Sequence, residues 1–365
     1  QAFVVYGRLF REDIEDAERR ELVERLAGVM AVWARLAELY EAILEETKVD
    51  TQATAALAFR LGEVAEEKLH DFPRARTAYR RAHTFEPSDT QPMAALERVF
   101  SATEDWPALI DLLRQVADGT YDPSGKKDLL FRMAAIFEER MEQRAKAIEV
   151  YVEVLDVDPA DPRAIAALDR LYYYEKRWPD LADLLVRQVE QAIDERTRNA
   201  LRYRLAMVYQ EQLADVERAV ATLEEILRSD PTFREAISAM EGLMSDPDQR
   251  VHIAQSLIPV YQQLDDWESL IQVYQVELEA LQDPTERILR WLEIARLYEA
   301  KGRDARSAFR AYGAAFAEDP SDQAVLEQIQ RLAVSLGTWT ELASILEAGI
   351  QKLDDGGMKA DLLRI

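Results

Sequence analysis

Three histidines, a crowd of carboxylates and one glycine-lysine cluster are the residues through which this chain could do chemistry. His70, His83 and His252 stand far apart, with no His-x-x-x-His pair and no glutamate at ligand spacing. With no cysteine either, a thiolate metal site and a disulfide framework are both excluded, and no metal site is expected. His70 and His83 read as residues of solvent faces or helix ends. Ser124-Gly125-Lys126-Lys127 has a superficial likeness to a phosphate loop, but Gly119 is misplaced and no Ser or Thr follows the lysine, so the segment reads as a turn. Glu66-Glu67 and Glu138-Glu139 could act as acid and base only if a pocket buried one of them and moved its pKa. Nothing in the sequence implies such a pocket, and solvated helix faces account for these charges. No catalytic residue and no cofactor is therefore expected, which leaves binding.

The elements that must position any binding residue repeat on a fixed ruler, and such a period has to be sought first because it decides the fold. Trp33, Trp106, Trp178, Trp267 and Trp339 open segments of the form Trp-x-x-Leu or a close variant at spacings of 73, 72, 89 and 72 residues. Glu86-Pro87, Asp158-Pro159, Asp230-Pro231 and Asp319-Pro320 fall between them at 72, 72 and 89. Within one period the apolar residues mark four helices. Leu129, Leu130, Met133, Ile136 and Phe137 make one helical face, and Ala147, Ile148, Tyr151, Val154 and Leu155 make the next. Pro159 stops that second helix, because it lacks an amide donor and clashes with the preceding turn. Asp161-Pro162 starts a third through Ile165, Leu168 and Leu171, and Trp178-Pro179 starts a fourth. Four helices in about 72 residues means two hairpins of about 36. Composition agrees: Ala, Leu, Glu and Arg dominate, with 12 Gly, 13 Pro and a single Asn, Asn199.

The 89-residue interval is one period plus 17 residues, and the surplus lies between Asp246 and Asp266. There Val251, Ile253, Ala254, Leu257, Ile258 and Tyr261 predict an additional helix of about four turns. Leu9 stands 24 residues before Trp33 as Leu243 stands 24 before Trp267, so the long variant is expected at the N-terminus too. An added helix of this kind should bend or offset the stack near residues 243 to 267. The period divides the chain into units of approximately 1–32, 33–105, 106–177, 178–266, 267–338 and 339–365. Asp361-Leu362-Leu363 repeats Asp128-Leu129-Leu130, each Asp 22 residues after its Trp, which predicts a fragment of a longer repeat protein.

Leu61, Gly62, Ala75, Tyr79, Ala82 and Pro87 carry a resemblance to the tetratricopeptide repeat family, whose pattern is Leu-Gly/Ala and an aromatic on a first helix, then Ala, an aromatic, a small residue and a closing Pro. Met133, Ala134, Phe137, Ala147, Tyr151, Val154 and Pro159 repeat it, as do Leu205, Ala206, Tyr209, Ala219, Leu223, Ile226 and Pro231. A fourth copy has Ile294, Ala295, Tyr298, Ala308, Tyr312, Ala315 and Pro320. The hairpin turn is one residue longer than the family norm, and the hairpins opened by the tryptophans keep only the family outline. The resemblance implies an all-α, right-handed solenoid of helical hairpins, here with a double-hairpin period of about 72 residues. The composition is also reminiscent of long bacterial repeat scaffolds such as those of deltaproteobacteria.

In that family the first helix of each hairpin lines the concave surface. The resemblance thus points to Phe59, Glu63 and Glu66, to Phe131, Ala135 and Glu138, and to Tyr203, Met207 and Gln210 as partner-binding positions, with Arg98, Arg170, Tyr173 and Tyr174 in similar places on the less regular hairpins. Phe59, Phe131 and Tyr203 recur every 72 residues, either as an exposed ladder or as core aromatics between hairpins. Of Tyr172, Tyr173 and Tyr174 at least one must face outward, because successive helical residues diverge. Members that clamp a chaperone's C-terminal carboxylate place Lys and Asn on this surface, where aromatics, Glu and Ala stand here, so chaperone-tail binding is not expected.

The net charge of -24 is spread along the chain and repels nucleic-acid phosphate and anionic lipid, and no stretch approaches 18 consecutive apolar residues. The expected partner is therefore a protein or peptide of basic or amphipathic character, with no nucleic acid and no membrane insertion. Arginine outnumbers lysine about four to one, the bias of a G+C-rich bacterial genome. The expected setting is the cytoplasm, with the periplasm as the alternative. The expected function is a non-catalytic scaffold for partner proteins; the alternative is the substrate-recruiting arm of a larger enzyme such as a bacterial protein kinase.

Overall fold

The computed structural model describes residues 1–47, 51–87, 89–353 and 356–363. Every element among them is helical. Contacts divide the chain into two units, Gln1–Leu171 and Tyr172–Ile365.

The first unit holds α1 (Ala2–Glu12), α2 (Ala17–Val29), α3 (Trp33–Glu46), α4 (Gln52–Glu63), α5 (Phe72–Phe85), α6 (Thr90–Ala102), α7 (Trp106–Gly119), α8 (Pro123–Ala135) and α9 (Arg144–Val157). The boundary falls near the end of α10 (Pro162–Tyr174). The second unit continues with α11 (Trp178–Gln191), α12 (Glu195–Met207), α13 (Val216–Ser229), α14 (Arg234–Leu243), α15 (Arg250–Leu264), α16 (Trp267–Ala280) and α17 (Pro284–Leu297). It closes with α18 (Ala305–Glu318), α19 (Gln323–Leu336), α20 (Trp339–Lys352) and α21 (Gly356–Leu363).

Helix starts follow from local chemistry. Asp71, Asp105, Asp122, Asp215, Asp283, Asp304 and Asp322 each accept hydrogen bonds from the first-turn amides of the helix they precede, satisfying donors that have no partner inside the helix. The segment read as a turn, Ser124-Gly125-Lys126-Lys127, is instead the first turn of α8: Asp122 accepts from the Ser124 and Gly125 amides, and Pro123 sets the opening φ. Lys127 then reaches Asp158 at 2.6 Å and Asp161 at 3.0 Å, tying α8 to the turn after α9.

The four regular first helices, α4, α8, α12 and α17, end in a wide turn: Val64–Leu69, Ile136–Arg140, Val208–Gln212 and Tyr298–Gly302. In it the Met141 amide bonds to the Ile136 carbonyl and the Leu213 amide to the Val208 carbonyl, both at 3.1 Å. A single widened turn takes up one extra residue, which is how the longer hairpin turn is accommodated. After each helix pair's turn comes a left-handed residue: Ala31, His70, Glu104, Glu142, Lys176, Ala214, Asp265, Arg303 and Gly337.

The core runs along the crossings. Ala58, Ala75, Ala134, Ala147, Ala206, Ala219, Ala295 and Ala308 are fully buried where helices approach closely, and Leu, Tyr and Phe fill the space beside them. Between Asp246 and Asp266 the chain forms α15, and α1 and α2 precede Trp33. None of the helices among the described residues is long and apolar enough to cross a membrane.

Candidate functional site

The charged first-helix positions are matched to one another. Arg98 of α6 grips Glu66 of the preceding hairpin through Nε at 2.5 Å and a terminal nitrogen at 2.7 Å, and the Tyr79 hydroxyl donates to the same carboxylate at 2.8 Å. Arg170 grips Glu138 at 2.6 and 2.9 Å. In the second unit Arg331 binds Glu299 at 2.6 Å, with Tyr312 donating at 3.1 Å. The Arg98 and Arg170 contacts are bidentate, and charge-assisted contacts of that kind are the stronger kind of surface hydrogen bond. Arg98 holds the Glu66 carboxyl below its ordinary value, and the Tyr79 hydroxyl lowers it further. Burial, reinforced by Glu66, pushes the Tyr79 hydroxyl up. Burial and Glu299 do the same to Tyr312.

A second set of pairs alternates with the first. Arg60 of α4 binds Glu24 of α2 at 2.5 and 3.2 Å, where Tyr40 also donates, and Arg132 of α8 binds Glu97 of α6. In the first unit, therefore, each step of the first-helix row α2, α4, α6, α8 and α10 carries an arginine-carboxylate staple. In the second unit the row is interrupted. Gln210 and Gly242 stand where the α12 to α14 step would need its glutamate and arginine, and Ile258 and Glu293 occupy the matching places between α15 and α17.

The sequence-derived binding residues sort accordingly. Glu66, Arg98, Glu138 and Arg170 belong to the staples, and Glu63 pairs with Arg60 at 2.6 Å. Phe59 and Phe131 are half-buried, packed on Tyr79 and Tyr151 with ring centres 5.4 and 6.0 Å apart, and Arg163 lies over Phe131 at 4.0 Å. Tyr203 is half-buried against Phe233 at 5.9 Å, and Met207 and Ala135 are half-buried as well. Tyr172 is buried, whereas Tyr173 and Tyr174 are 62 and 63% exposed. Tyr173 meets Trp178 edge-on at 5.3 Å. The partners missed in the sequence are Glu24, Arg60, Glu97, Arg132, Tyr79, Glu299, Tyr312 and Arg331. For the staples at Glu66, Glu138 and Glu299 the signal is a glutamate followed by Tyr at 13 and Arg at 32 residues.

Several open grooves lie in the second unit. One of about 440 Å³ runs between α13 and the additional helix α15, floored by Leu227, Pro231, Pro259 and Val260. On its rim the Glu224 carboxylate lies 2.9 Å from His252 Nε2 and accepts from the Ser256 hydroxyl. Glutamate stands between the other two, and no relay from histidine to serine is formed. Another, about 370 Å³, is lined by Tyr261, Trp267, Tyr274 and Leu297, with Lys301 paired to Asp265 at 2.7 Å.

Family models described as tetratricopeptide repeat match residues 200–232, which take in most of the α12–α13 hairpin, and residues 93–127, which run through most of α6 and all of α7. The chain carries tetratricopeptide repeats. The second match falls on the alternate hairpin whose second helix Trp106 opens. Among solved structures, YrrB, described as a tetratricopeptide repeat protein with an unusual peptide-binding site, is 16% identical, with 56% of this chain and 99% of that one covered and a TM-score of 0.27. The C-terminal part of a tetratricopeptide protein from Cytophaga hutchinsonii is 12% identical, covering 74% and 99%, with a TM-score of 0.27. One from Parabacteroides merdae is 12% identical, covering 76% and 98%, also at 0.27. No curated protein matches. The staples thus join successive helical hairpins through their first helices.

Proposed function

We propose that this chain is a non-catalytic scaffold that holds a partner protein through a basic, amphipathic segment laid along the concave face of its tetratricopeptide hairpins. The observation that carries the reading is the pair Tyr173 and Tyr174, large aromatic side chains 62 and 63% exposed in a chain of net charge -24. Exposed aromatics supply apolar anchoring area at small conformational cost, and a strongly acidic surface draws a basic segment toward them and excludes acidic ones. The charged residues of the first unit's row are largely spent on one another, so the staples set hairpin spacing while the surrounding acidic field does the steering.

The test is a Tyr173→Ala/Tyr174→Ala double variant of the whole chain, titrated against a fluorescein-labelled amphipathic peptide of Arg and Leu by anisotropy. Affinity should fall about tenfold, the value of one lost aromatic anchor, with the melting temperature nearly unchanged. Equal loss of affinity and melting temperature would return both tyrosines to the core, and no binding by the parent chain would end the reading.

A further inference from the structure

In the first unit the tryptophans that open helices lie under cations of the chain itself. Lys68, 35 residues after Trp33, sits over that ring at 5.9 Å, and Arg140, 34 after Trp106, sits over its own at 5.6 Å. In the second unit the matching residue for Trp178 is Gln212, and Tyr173 meets the ring edge-on instead. Trp267 has its cation at the same 34-residue distance, Lys301, but that ammonium is bonded to Asp265 at 2.7 Å and does not lie over the ring. The pair is loose: 45% of the Lys301 side chain and 73% of Asp265 are open to solvent, where such a bond is worth little. Trp267 instead lines the groove of about 370 Å³ with Tyr261 and Tyr274, and Asp265, Lys301, Glu293 and Arg296 stand around it. One wall of this groove already shows how a guanidinium packs there. Arg290 lies over the Tyr274 ring at 4.1 Å while it pairs with the carboxylates of Glu277 and Glu293.

We infer that this groove receives one arginine side chain of the partner, its guanidinium laid on the Trp267 ring and bonded to Asp265 in place of Lys301. The inference rests on the proposed binding of a basic segment and names where one of its cations is held. Aromatic faces and a carboxylate that line one open groove suit a group that stacks through its plane and donates through its rim, which a guanidinium does and an ammonium does not. Lys301 is then a competitor supplied by the chain, displaced at small cost because its bond is exposed. The net charge of -24 favours the exchange of one cation for another over entry of an acidic side chain.

The deciding experiment removes the two members of the Asp265–Lys301 pair separately. Asp265→Asn keeps a residue that tolerates the left-handed turn at φ 55° but takes away the carboxylate, and Lys301→Ala takes away the competitor. In anisotropy titrations with the labelled Arg/Leu peptide, Asp265→Asn should bind about fivefold more weakly and Lys301→Ala about fivefold more tightly. Both variants part the same ion pair, so damage to the fold would move them in the same direction. Glu341→Ala and Arg306→Ala change the net charge by the same amounts at another exposed pair, 3.2 Å apart, and should leave the affinity at the parental value. A Lys/Leu peptide should bind the parent more weakly than the Arg/Leu peptide. Equal shifts at both pairs would reduce the effect to overall charge, and no shift at Asp265 and Lys301 would overturn the groove while leaving basic-peptide binding intact. Loss of affinity in Ala300→Phe, which blocks the groove, without a response to Asp265→Asn or Lys301→Ala would put a leucine there and overturn the arginine. Failure of the parent to bind the Arg/Leu peptide would remove this reading together with the one it rests on.

Discussion

The ring of Tyr79 occupies the space where residue 62 would carry its β-carbon: an added Cβ on Gly62 would stand 2.4 Å from Tyr79 Cε1 and 2.5 Å from Cδ1. The ring is fully buried, and its hydroxyl is committed to Glu66 at 2.8 Å, so it cannot withdraw without breaking the staple. Gly62→Ala gains about 1 kcal/mol of helix propensity but forces overpacking that costs about 1–3 kcal/mol. The overlap is with a ring held at both ends, so the second effect wins. The urea midpoint should fall by the equivalent of about 1–2 kcal/mol. A raised midpoint would show that the ring has room to move.

The staple at Glu66 makes stability depend on pH in a definite direction. Its carboxyl is held below the ordinary value of 4.5, first by Arg98 and then by Tyr79. A lowered folded value means that the stabilisation is complete above the unfolded value and disappears as pH falls through the folded one. The stability difference between the parent and Glu66→Gln, measured by urea unfolding, should therefore be constant from pH 7 down to about 5 and shrink below the ordinary value of 4.5. A difference that persists undiminished to pH 2 would mean that the carboxylate charge is not what Arg98 and Tyr79 recognise.

The repeats were legible because their markers are local. A tryptophan opening a helix and a proline closing one act on their own turn of chain, and the surplus between Asp246 and Asp266 could be found by subtraction. The staples were not legible for the opposite reason. With 31% of residues charged, every glutamate has arginines nearby in sequence, and Arg98 is singled out for Glu66 only once two hairpins are stacked. The first turn of α8 was hidden because Gly125 reads as a breaker, whereas the Asp122 cap and the reach of Lys127 to Asp158 and Asp161 override that local preference. Helical geometry required only that at least one of Tyr172, Tyr173 and Tyr174 face outward, and that Tyr172 is the buried one depended on packing against the next helix.

The hairpin turns hold reserve stability. Of the nine left-handed positions among the described residues only Gly337 is glycine, and at Ala31 and Ala214, with φ of 53 and 51°, no polar side chain offsets the conformation. An L-residue there costs roughly 1–2 kcal/mol, while glycine gives back part of that gain through its freer unfolded chain. Ala214→Gly should therefore stabilise by about 0.5–1 kcal/mol, and Gly337→Ala should destabilise by a similar amount. The check is a urea midpoint for each. A loss of stability in Ala214→Gly would mean that the methyl group makes contacts worth more than the backbone strain.

The last prediction concerns how far damage travels. Ala147 is fully buried on α9, the helix that packs against α8. Ala147→Arg places a long charged group at a fully buried position, an effect of several kcal/mol. In an array of hairpins stabilised by their neighbours, the loss should be greatest in the struck hairpin and decline with distance. Hydrogen exchange should show α8 and α9 unprotected, α6 and α7 weakened, and α17 and α18 at parental rates. Uniform loss along the whole chain would make it one cooperative globule, and unchanged protection around residue 147 would mean that the crossing opens to admit the arginine. Either result would contradict the stacked-pair architecture on which the staples and the proposed binding depend.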